Sequence, residues 1–126
     1  MAKKILVIDD EKLVTGSLEK LLKKVGYIVK TAQNYQEALE AIGESYFDLI
    51  ISDVRIPDKD GIEIIKGIRA YLQQNQKTPI PEILITGYAS KEKYQSAVDL
   101  NIRGYINKPF DVKEFLATVE GVLSEK

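Results

Sequence analysis

The chain has no cysteine and no histidine among its 126 residues, and these two absences exclude much of enzyme chemistry. Without cysteine there is no disulfide, thiol nucleophile, cysteine zinc site or iron–sulfur cluster. Without histidine there is no Ser-His-Asp triad, no imidazole ligand for haem and no imidazole acid or base. Any chemistry must therefore use carboxylates, hydroxyls, lysine, backbone groups or a metal bound through oxygen.

An excess of charge and a long apolar run are also absent. Eighteen Lys and Arg against nineteen Asp and Glu give a net charge of −1, which does not favour nucleic-acid binding. The longest apolar run, residues 5–8, is far too short for a membrane span, and no signal-peptide cleavage site follows it. The length predicts one domain over residues 1–126, and we expect a cytoplasmic protein that binds neither nucleic acid nor membrane.

The apolar residues predict five strands that alternate with five helices. The strands are expected at residues 5–8, 27–32, 49–51, 83–85 and 104–106, with the second near a sheet edge. Such alternation is typical of an α/β protein whose parallel sheet is covered by helices on both faces. Right-handed crossovers then predict a doubly wound, three-layer sandwich.

Capping patterns predict where helices begin. An Asn or Asp followed three residues later by Glu occurs at three positions, Asn34 with Glu37, Asp60 with Glu63, and Asp111 with Glu114. Ser90 is expected to cap a helix over residues 90–100, whose thin apolar stripe would be Tyr94, Ala97 and Val98. We expect this helix to be the one that changes its position most easily.

Ligand sites in doubly wound folds lie at the carboxyl ends of the strands. Those ends in this chain are Asp9-Asp10, Ser52-Asp53, Thr86-Gly87 and Asn107-Lys108. Three carboxylates would converge there, and because like charges cannot all ionise at short range, a cation or a raised pKa is expected. Mg²⁺ prefers carboxylate, water and carbonyl ligands. With an ammonium and a hydroxyl nearby, the set indicates a phosphoryl-binding site that contains an acceptor.

Each of these residues alone also has a simpler structural explanation. Asp9 and Asp10 could cap the first helix, and Asp53 could be a turn residue. Thr86 could be a solvated strand end, and Lys108 a surface lysine. The combination favours the phosphoryl site, because four separate strands would otherwise all end in phosphate chemistry by coincidence.

Four motifs together resemble the receiver domain of two-component response regulators, over essentially the whole chain. They are Ile-Asp-Asp-Glu ending at Glu11, Asp-Val-Arg-Ile-Pro-Asp-Lys-Asp-Gly beginning at Asp53, Thr86-Gly87, and Lys-Pro-Phe beginning at Lys108. The resemblance implies a flavodoxin-like fold, similar to chemotaxis regulators, with strand order 2-1-3-4-5. It also implies a signalling switch rather than a turnover enzyme, which catalyses only its own phosphorylation and dephosphorylation.

The resemblance further implies a role for each matching residue. Asp53 would be the phosphoacceptor, which takes the phosphoryl group from a phosphohistidine in line. Asp10, Asp53 and the backbone carbonyl of Arg55 would bind Mg²⁺ (or Mn²⁺) directly, and Asp9 would act mainly through water. The donor would be a histidine kinase or a histidine phosphotransfer protein.

The phosphoryl group and the switch involve a second set of residues by the same resemblance. Thr86 and Lys108 would hold phosphoryl oxygens, helped by the backbone N–H groups of Arg55 and Gly87. Thr86 and Tyr105 would form the switch, with the Tyr105 ring able to point outward until the Thr86 hydroxyl moves. Output would pass through the last two helices and the fifth strand to an unknown protein or domain, with a phosphorylation-dependent dimer as one form.

Some positions depart from the commonest family pattern. Gly87 stands where Ala is frequent, the bulky Tyr88 follows it, and Arg55 lies two residues past the acceptor. The side chains of Arg55 and Tyr88 could shield or guide the hydrolytic water and so tune the phosphoryl lifetime. Gly61 and Gly87 are expected to serve backbone geometry rather than binding. The resemblance also implies a cis peptide bond before Pro109.

Three other functions are weaker. A phosphatase or dehalogenase with an aspartate nucleophile shares the sheet and the lysine, but the phosphatase motif has a second Asp where this chain has Arg55, and no cap domain fits in 126 residues. A nucleotide or flavin protein needs a Gly-rich phosphate loop where Asp9 and Asp10 would repel phosphate. A receiver kept only as an interaction module would not need the complete acceptor set.

Overall fold

The strands and helices follow one another in strict alternation along the part of the chain that is described. The structure is a computed structural model that describes residues 2–54, 60–87 and 91–124, without the side chains of 91–93. The strands are β1 (Lys4–Ile8), β2 (Ile28–Ala32), β3 (Leu49–Asp53), β4 (Glu82–Thr86) and β5 (Gly104–Asn107). The helices are α1 (Lys12–Lys24), α2 (Tyr35–Glu44), α3 (Gly61–Gln74), α4 (Lys91–Asp99) and α5 (Val112–Ser124).

All strand pairs are parallel, and the sheet order is β2-β1-β3-β4-β5. The predicted α/β sandwich with the order 2-1-3-4-5 is therefore confirmed, and β2 lies at an edge as its polar sequence predicts. The order reverses direction at β1, so the crevice beside the carboxyl ends of β1 and β3 is where such folds place their ligands.

Helices cover both faces of the sheet because successive strand residues point to opposite sides. Leu6 and Ile8 of β1 pack into a core with α2 and α3, whereas Ile5 and Val7 pack into a second core with α1 and α5. A third, smaller cluster lies against Ala97 of α4. Strands buried on both faces explain why β1, β3 and β4 have nearly continuous apolar sequences.

The predicted caps are present. The Asn34 side chain accepts the Glu37 N–H at 2.8 Å, and the Asp60 side chain accepts the Glu63 N–H at 3.0 Å. The Asp111 side chain accepts the Lys113 N–H at 3.2 Å at the start of α5. These bonds satisfy backbone donors that the first helical turn leaves without partners inside the helix.

The predicted apolar stripe of α4 is wrong in two of its three positions. Ala97 is buried, but Tyr94 and Val98 are 53% and 48% exposed. Leu100 and Ile102, just beyond the helix, pack against the cluster instead, and Ala97 is the one buried side chain among the described residues 94–99 of α4. The helix ends at Asp99 rather than at residue 100, and Ser90, its predicted cap, lies outside the described residues.

Gly61 brings the chain back against the end of β3. Its N–H donates to the Val54 carbonyl at 2.7 Å, and a Cβ at this position would lie 2.5 Å from the Asp53 carbonyl oxygen. Both neighbours are backbone atoms that cannot move aside cheaply, so only glycine fits. The expectation that Gly61 serves backbone geometry is confirmed.

No helix in the described ranges is long and apolar enough to cross a membrane.

Candidate functional site

Four strand ends bring their polar residues to one edge of the sheet. Asp9 follows β1, Asp53 ends β3, Thr86 ends β4, and Lys108 follows β5. Asp9, Asp53 and Thr86 are almost completely buried. Polar groups this deep need charge or hydrogen-bond partners, which Asp9 finds in the Glu11 N–H and Asp53 in the Lys108 ammonium.

Lys108 reaches across the sheet to Asp53. Its ammonium Nζ donates to Asp53 Oδ2 at 2.7 Å, and its backbone N–H donates to the Thr86 carbonyl at 2.6 Å. The Lys108–Pro109 peptide bond is cis, as the family resemblance predicts. The following Phe110 ring stacks on Phe115 of α5 with centroids 5.2 Å apart. These contacts hold the Lys108 backbone on β4 and the Phe110 ring on α5.

The charges around Lys108 favour its protonated form. Burial acts to lower the pKa of the Lys108 ammonium, but the hydrogen bond and charge of Asp53, with the charges of Asp9 and Glu11, outweigh burial and raise that pKa. Among the described residues of the site, Lys108 is therefore a cation placed beside several acidic groups.

Asp9 is the carboxyl whose charge this site tolerates least. Burial raises its pKa from 3.8 to about 7; the charge of Asp53 and a hydrogen bond between the two side chains act in the same direction. The Glu11 backbone N–H, which donates to Asp9 Oδ1 at 3.0 Å, and the Lys108 charge act in the opposite direction. Two carboxyl groups therefore share a small buried volume that a cation would stabilise.

Asp10 does not share the buried volume of Asp9 and Asp53 in the structure as described. Asp10 is exposed, and within residues 2–54, 60–87 and 91–124 no three Asp, Glu, His or Cys side chains form a group able to hold a metal ion. The physical reason is that the neighbouring Asp9 already faces Asp53, so repulsion favours a solvated Asp10.

The donor chemistry nevertheless fits a hard divalent cation. Asp9 and Asp53 offer adjacent carboxyl oxygens, and a cation beside them would counter the burial that raises the pKa of Asp9. Asp10 is the next residue in the chain and is accessible from solvent, so its carboxylate is available as a further ligand. Carboxylate oxygens supplemented by water are the ligand set that Mg²⁺ prefers.

Tyr105 differs from the outward orientation considered for it. The ring is half-buried, its hydroxyl oxygen is shielded from solvent, and it packs edge-on against Tyr94 with centroids 5.2 Å apart. It also contacts the small cluster that contains Leu84 and Ala97. Aromatic packing of this kind stabilises the ring against the protein more than exposure to water would.

Several predicted positions have a different outcome. Arg55 and Tyr88 lie outside the described residues, so the structure does not test the roles expected of them. Gly87 is exposed, and a Cβ there would only make ordinary contact with the Lys108 side chain at 3.6 Å. Unlike Gly61, position 87 therefore has room for a larger residue, and its geometry gives no support to the expectation that Gly87 serves the backbone.

Two contacts that shape the site were not predicted. The Glu11 N–H that orients Asp9 could have been found from the sequence, because Asp commonly accepts the N–H two residues later at a helix start. The hydrogen bond from the Ser52 hydroxyl to the Asp53 carbonyl, 3.0 Å long, has no comparable local signal.

The chain belongs to the response regulator receiver domain family, whose sequence model matches residues 5–120. Its structure is similar to the chemotaxis protein CheY4 of Vibrio cholerae, with 33% identity, a TM-score of 0.86, and coverage of 97% of this chain and 99% of that one. A CheY-like receiver domain protein from Methanospirillum hungatei JF-1 is 28% identical with a TM-score of 0.87, over 98% and 94% of the two chains.

A third similar structure shows the setting in which such domains occur. The receiver domain of a signal transduction histidine kinase from Syntrophus aciditrophicus is 26% identical, with a TM-score of 0.83 over 98% of this chain and 91% of that one. Receiver domains act in two-component signalling with histidine kinases and output domains, and they generally bind Mg²⁺ in their acidic pocket.

Proposed function

We propose that this receiver domain accepts a phosphoryl group on Asp53 from a phosphohistidine of a histidine kinase or histidine phosphotransfer protein. The observation that carries the proposal is the 2.7 Å contact between Lys108 Nζ and Asp53 Oδ2 beside the buried Asp9. A carboxylate held between a cation and a second acidic group is poised for electrostatically assisted phosphoryl transfer, which needs positioning more than acid–base chemistry.

The transfer step forms one bond and breaks one. An Asp53 carboxylate oxygen bonds to phosphorus while the phosphorus–nitrogen bond of the donor breaks, which leaves an acyl phosphate and an imidazole that takes its proton from solvent. The Lys108 ammonium moves from a carboxylate oxygen toward a phosphoryl oxygen without leaving the site, since both are acceptors at similar range.

Asp9, Asp10 and Asp53 with the Arg55 carbonyl would hold Mg²⁺ or Mn²⁺, which neutralises negative charge on the phosphoryl oxygens. Asp9 would act through water, and deprotonation of this carboxyl would supply negative charge that favours the cation. The Glu11 N–H keeps the Asp9 oxygen oriented in either protonation state.

Thr86 and the backbone N–H groups of Arg55 and Gly87 would bind the remaining phosphoryl oxygens. The buried Thr86 hydroxyl would turn toward the new acceptor, and its movement would change the packing of Tyr105. The Tyr105 ring already packs against Tyr94 of α4, so a change at this ring reaches an exposed helix face. Output would then depend on α4, β5 and α5, with an unidentified partner or a second phosphorylated copy.

We also propose that the chain is a switch and not a turnover enzyme, because it would consume its own product by slow hydrolysis of the acyl phosphate. Arg55 lies two residues past the acceptor and Tyr88 follows Gly87, and their side chains would tune that hydrolysis.

Acetyl phosphate with Mg²⁺, followed by intact-mass measurement, tests the proposal. We expect a gain of one phosphoryl group in the wild-type chain and none in Asp53→Asn or with a chelator present. Asp99→Asn, which changes an exposed aspartate bonded to Gln95, is the matched control and should label like wild type. Labelling of Asp53→Asn at the wild-type level, or no labelling of the wild-type chain, would overturn the assignment.

A further inference from the structure

A groove lies at the amino edge of the sheet, at the opposite end of the strands from Asp53. It is formed where the end of α3, the loop before β4, the α4–β5 turn and the end of α5 meet, and its volume is about 760 Å³. This volume lies in the range of small-molecule sites, about 300–1,000 Å³. The groove shares no lining residue with the acidic site described above.

The walls combine apolar surface with three cationic side chains. Leu72, Ile80 and Leu100 are among its apolar residues, and Arg69, Lys77 and Arg103 are its basic ones. Among the lining residues that the structure describes, Glu82 is the acidic one. The described lining is therefore apolar with more basic than acidic side chains, which favours a ligand that has an apolar body and a negative group.

The Glu82 carboxylate already has a cationic partner in Arg69. The Arg69 guanidinium donates to both carboxylate oxygens of Glu82, through Nε and Nη2 at 2.8 Å each. The Glu82 side chain is 4% exposed whereas the Arg69 side chain is 36% exposed. The pair thus hides its anion and leaves its cation partly accessible, with the guanidinium plane fixed by two bonds.

The fixed orientation of the Arg69 guanidinium favours the binding of an anion. Two of its five N–H groups bind Glu82, and the same contact orients the rest of the fork without a further loss of side-chain entropy. The hydrogen bond with Glu82 raises the pKa of Arg69 further, so the group stays charged. Lys77 and Arg103 are exposed on the rim and add long-range attraction for an anion.

We propose that this groove binds a small carboxylate with an apolar body, whose carboxylate meets Arg69 and the basic rim while its hydrocarbon part lies against Leu72 and Leu100. This site is independent of phosphorylation at Asp53. The α4–β5 turn forms one wall, where the Asn101 N–H donates to the Val98 backbone carbonyl and the Arg103 N–H donates to the Glu82 backbone carbonyl. A bound ligand therefore also stabilises that turn.

Hexanoate is the probe, with hexylammonium as the ligand of equal size and opposite charge. Titration of the isotope-labelled protein at low salt should give saturable backbone amide shifts at Gln73, Lys77 and Asn101, with a Kd in the millimolar range expected for so small a ligand. Amide exchange at Asn101 and Ile102 should slow when hexanoate is present. Hexylammonium should produce neither effect at the same concentrations.

Charge variants separate a specific site from general attraction. Lys77→Gln and Arg103→Gln change exposed rim residues and should each weaken hexanoate binding at least twofold, whereas Lys30→Gln, on the distant exposed edge of β2, should leave it unchanged. Shifts that are absent, or that do not saturate at these amides, would overturn the proposal. Equal effects of hexanoate and hexylammonium, or equal losses in Lys30→Gln, would overturn it as well.

Discussion

The substitution Asp9→Asn tests whether the acidic pair destabilises the metal-free protein. Asn keeps an oxygen that accepts the Glu11 N–H and removes the charge beside Asp53. The folded state raises the pKa of Asp9 from 3.8 to about 7. Between pH 3.8 and about 7, the folded chain therefore keeps a proton on Asp9 that the unfolded chain has lost. The stability that this proton contributes is complete below pH 3.8 and is lost as the pH rises through about 7.

The size of the effect follows from the pKa shift. At about 1.36 kcal/mol per unit, the change from 3.8 to about 7 sets a ceiling of about 4 kcal/mol. Relaxation of the buried pair reduces this, so we expect Asp9→Asn to gain about 1–3 kcal/mol over wild type as the pH rises from about 4 to about 8. Added Mg²⁺ should stabilise wild type at the higher pH more than the variant, since Asn is the weaker ligand.

Urea unfolding with a chelator, at a series of pH values, measures the difference between the two chains. Asp99→Asn is the control and should differ from wild type by no more than about 0.5 kcal/mol at every pH, because its side chain is exposed. A gain for Asp9→Asn that is constant with pH, or absent at high pH, would refute the reasoning.

Three further predictions concern single contacts. Gly61→Ala should lower the free energy of unfolding by about 1–3 kcal/mol, because the new Cβ would meet the β3 backbone. Gly121→Ala, with open space around it in α5, should raise the free energy of unfolding by about 0.5–1 kcal/mol, and urea unfolding compares the two variants. Lys108→Met should slow acetyl phosphate labelling at least tenfold while the far-ultraviolet circular dichroism stays unchanged, and labelling at the wild-type rate would contradict its role. Arg69→Met should lower the free energy of unfolding by about 2–4 kcal/mol, because it leaves the Glu82 carboxylate buried without its cation. The double variant with Glu82→Gln should recover most of that loss, and no recovery would show that the cost is packing alone.

The fold could be predicted because its signals are local and repeated. Strand residues that are apolar on both faces, such as Ile5 and Leu6, indicate a covered parallel sheet, and cap residues such as Asn34 mark helix starts by contacts within three residues. The site could be predicted for a related reason, because parallel strands place their carboxyl ends at one edge wherever each strand begins.

The failures occurred where a side chain's surroundings depend on distant parts of the chain. Helical periodicity placed Tyr94 and Val98 on a buried face, but residues beyond the helix end fill that space. The Arg69–Glu82 pair joins a helix to a strand thirteen residues later and has no sequence pattern. Asp10 was grouped with Asp9 by adjacency, although only Asp9 is buried beside Asp53 and Asp10 is exposed.

The central claim is that Asp53 is the residue that carries the phosphoryl group. Borohydride reduction after acetyl phosphate treatment converts an acyl phosphate to an alcohol, so peptide mass spectrometry can then identify the modified residue. The account predicts homoserine at position 53, dependent on Mg²⁺ and absent from chain treated without acetyl phosphate. Reduction at Asp9, Asp10 or another carboxylate with position 53 unmodified would contradict it.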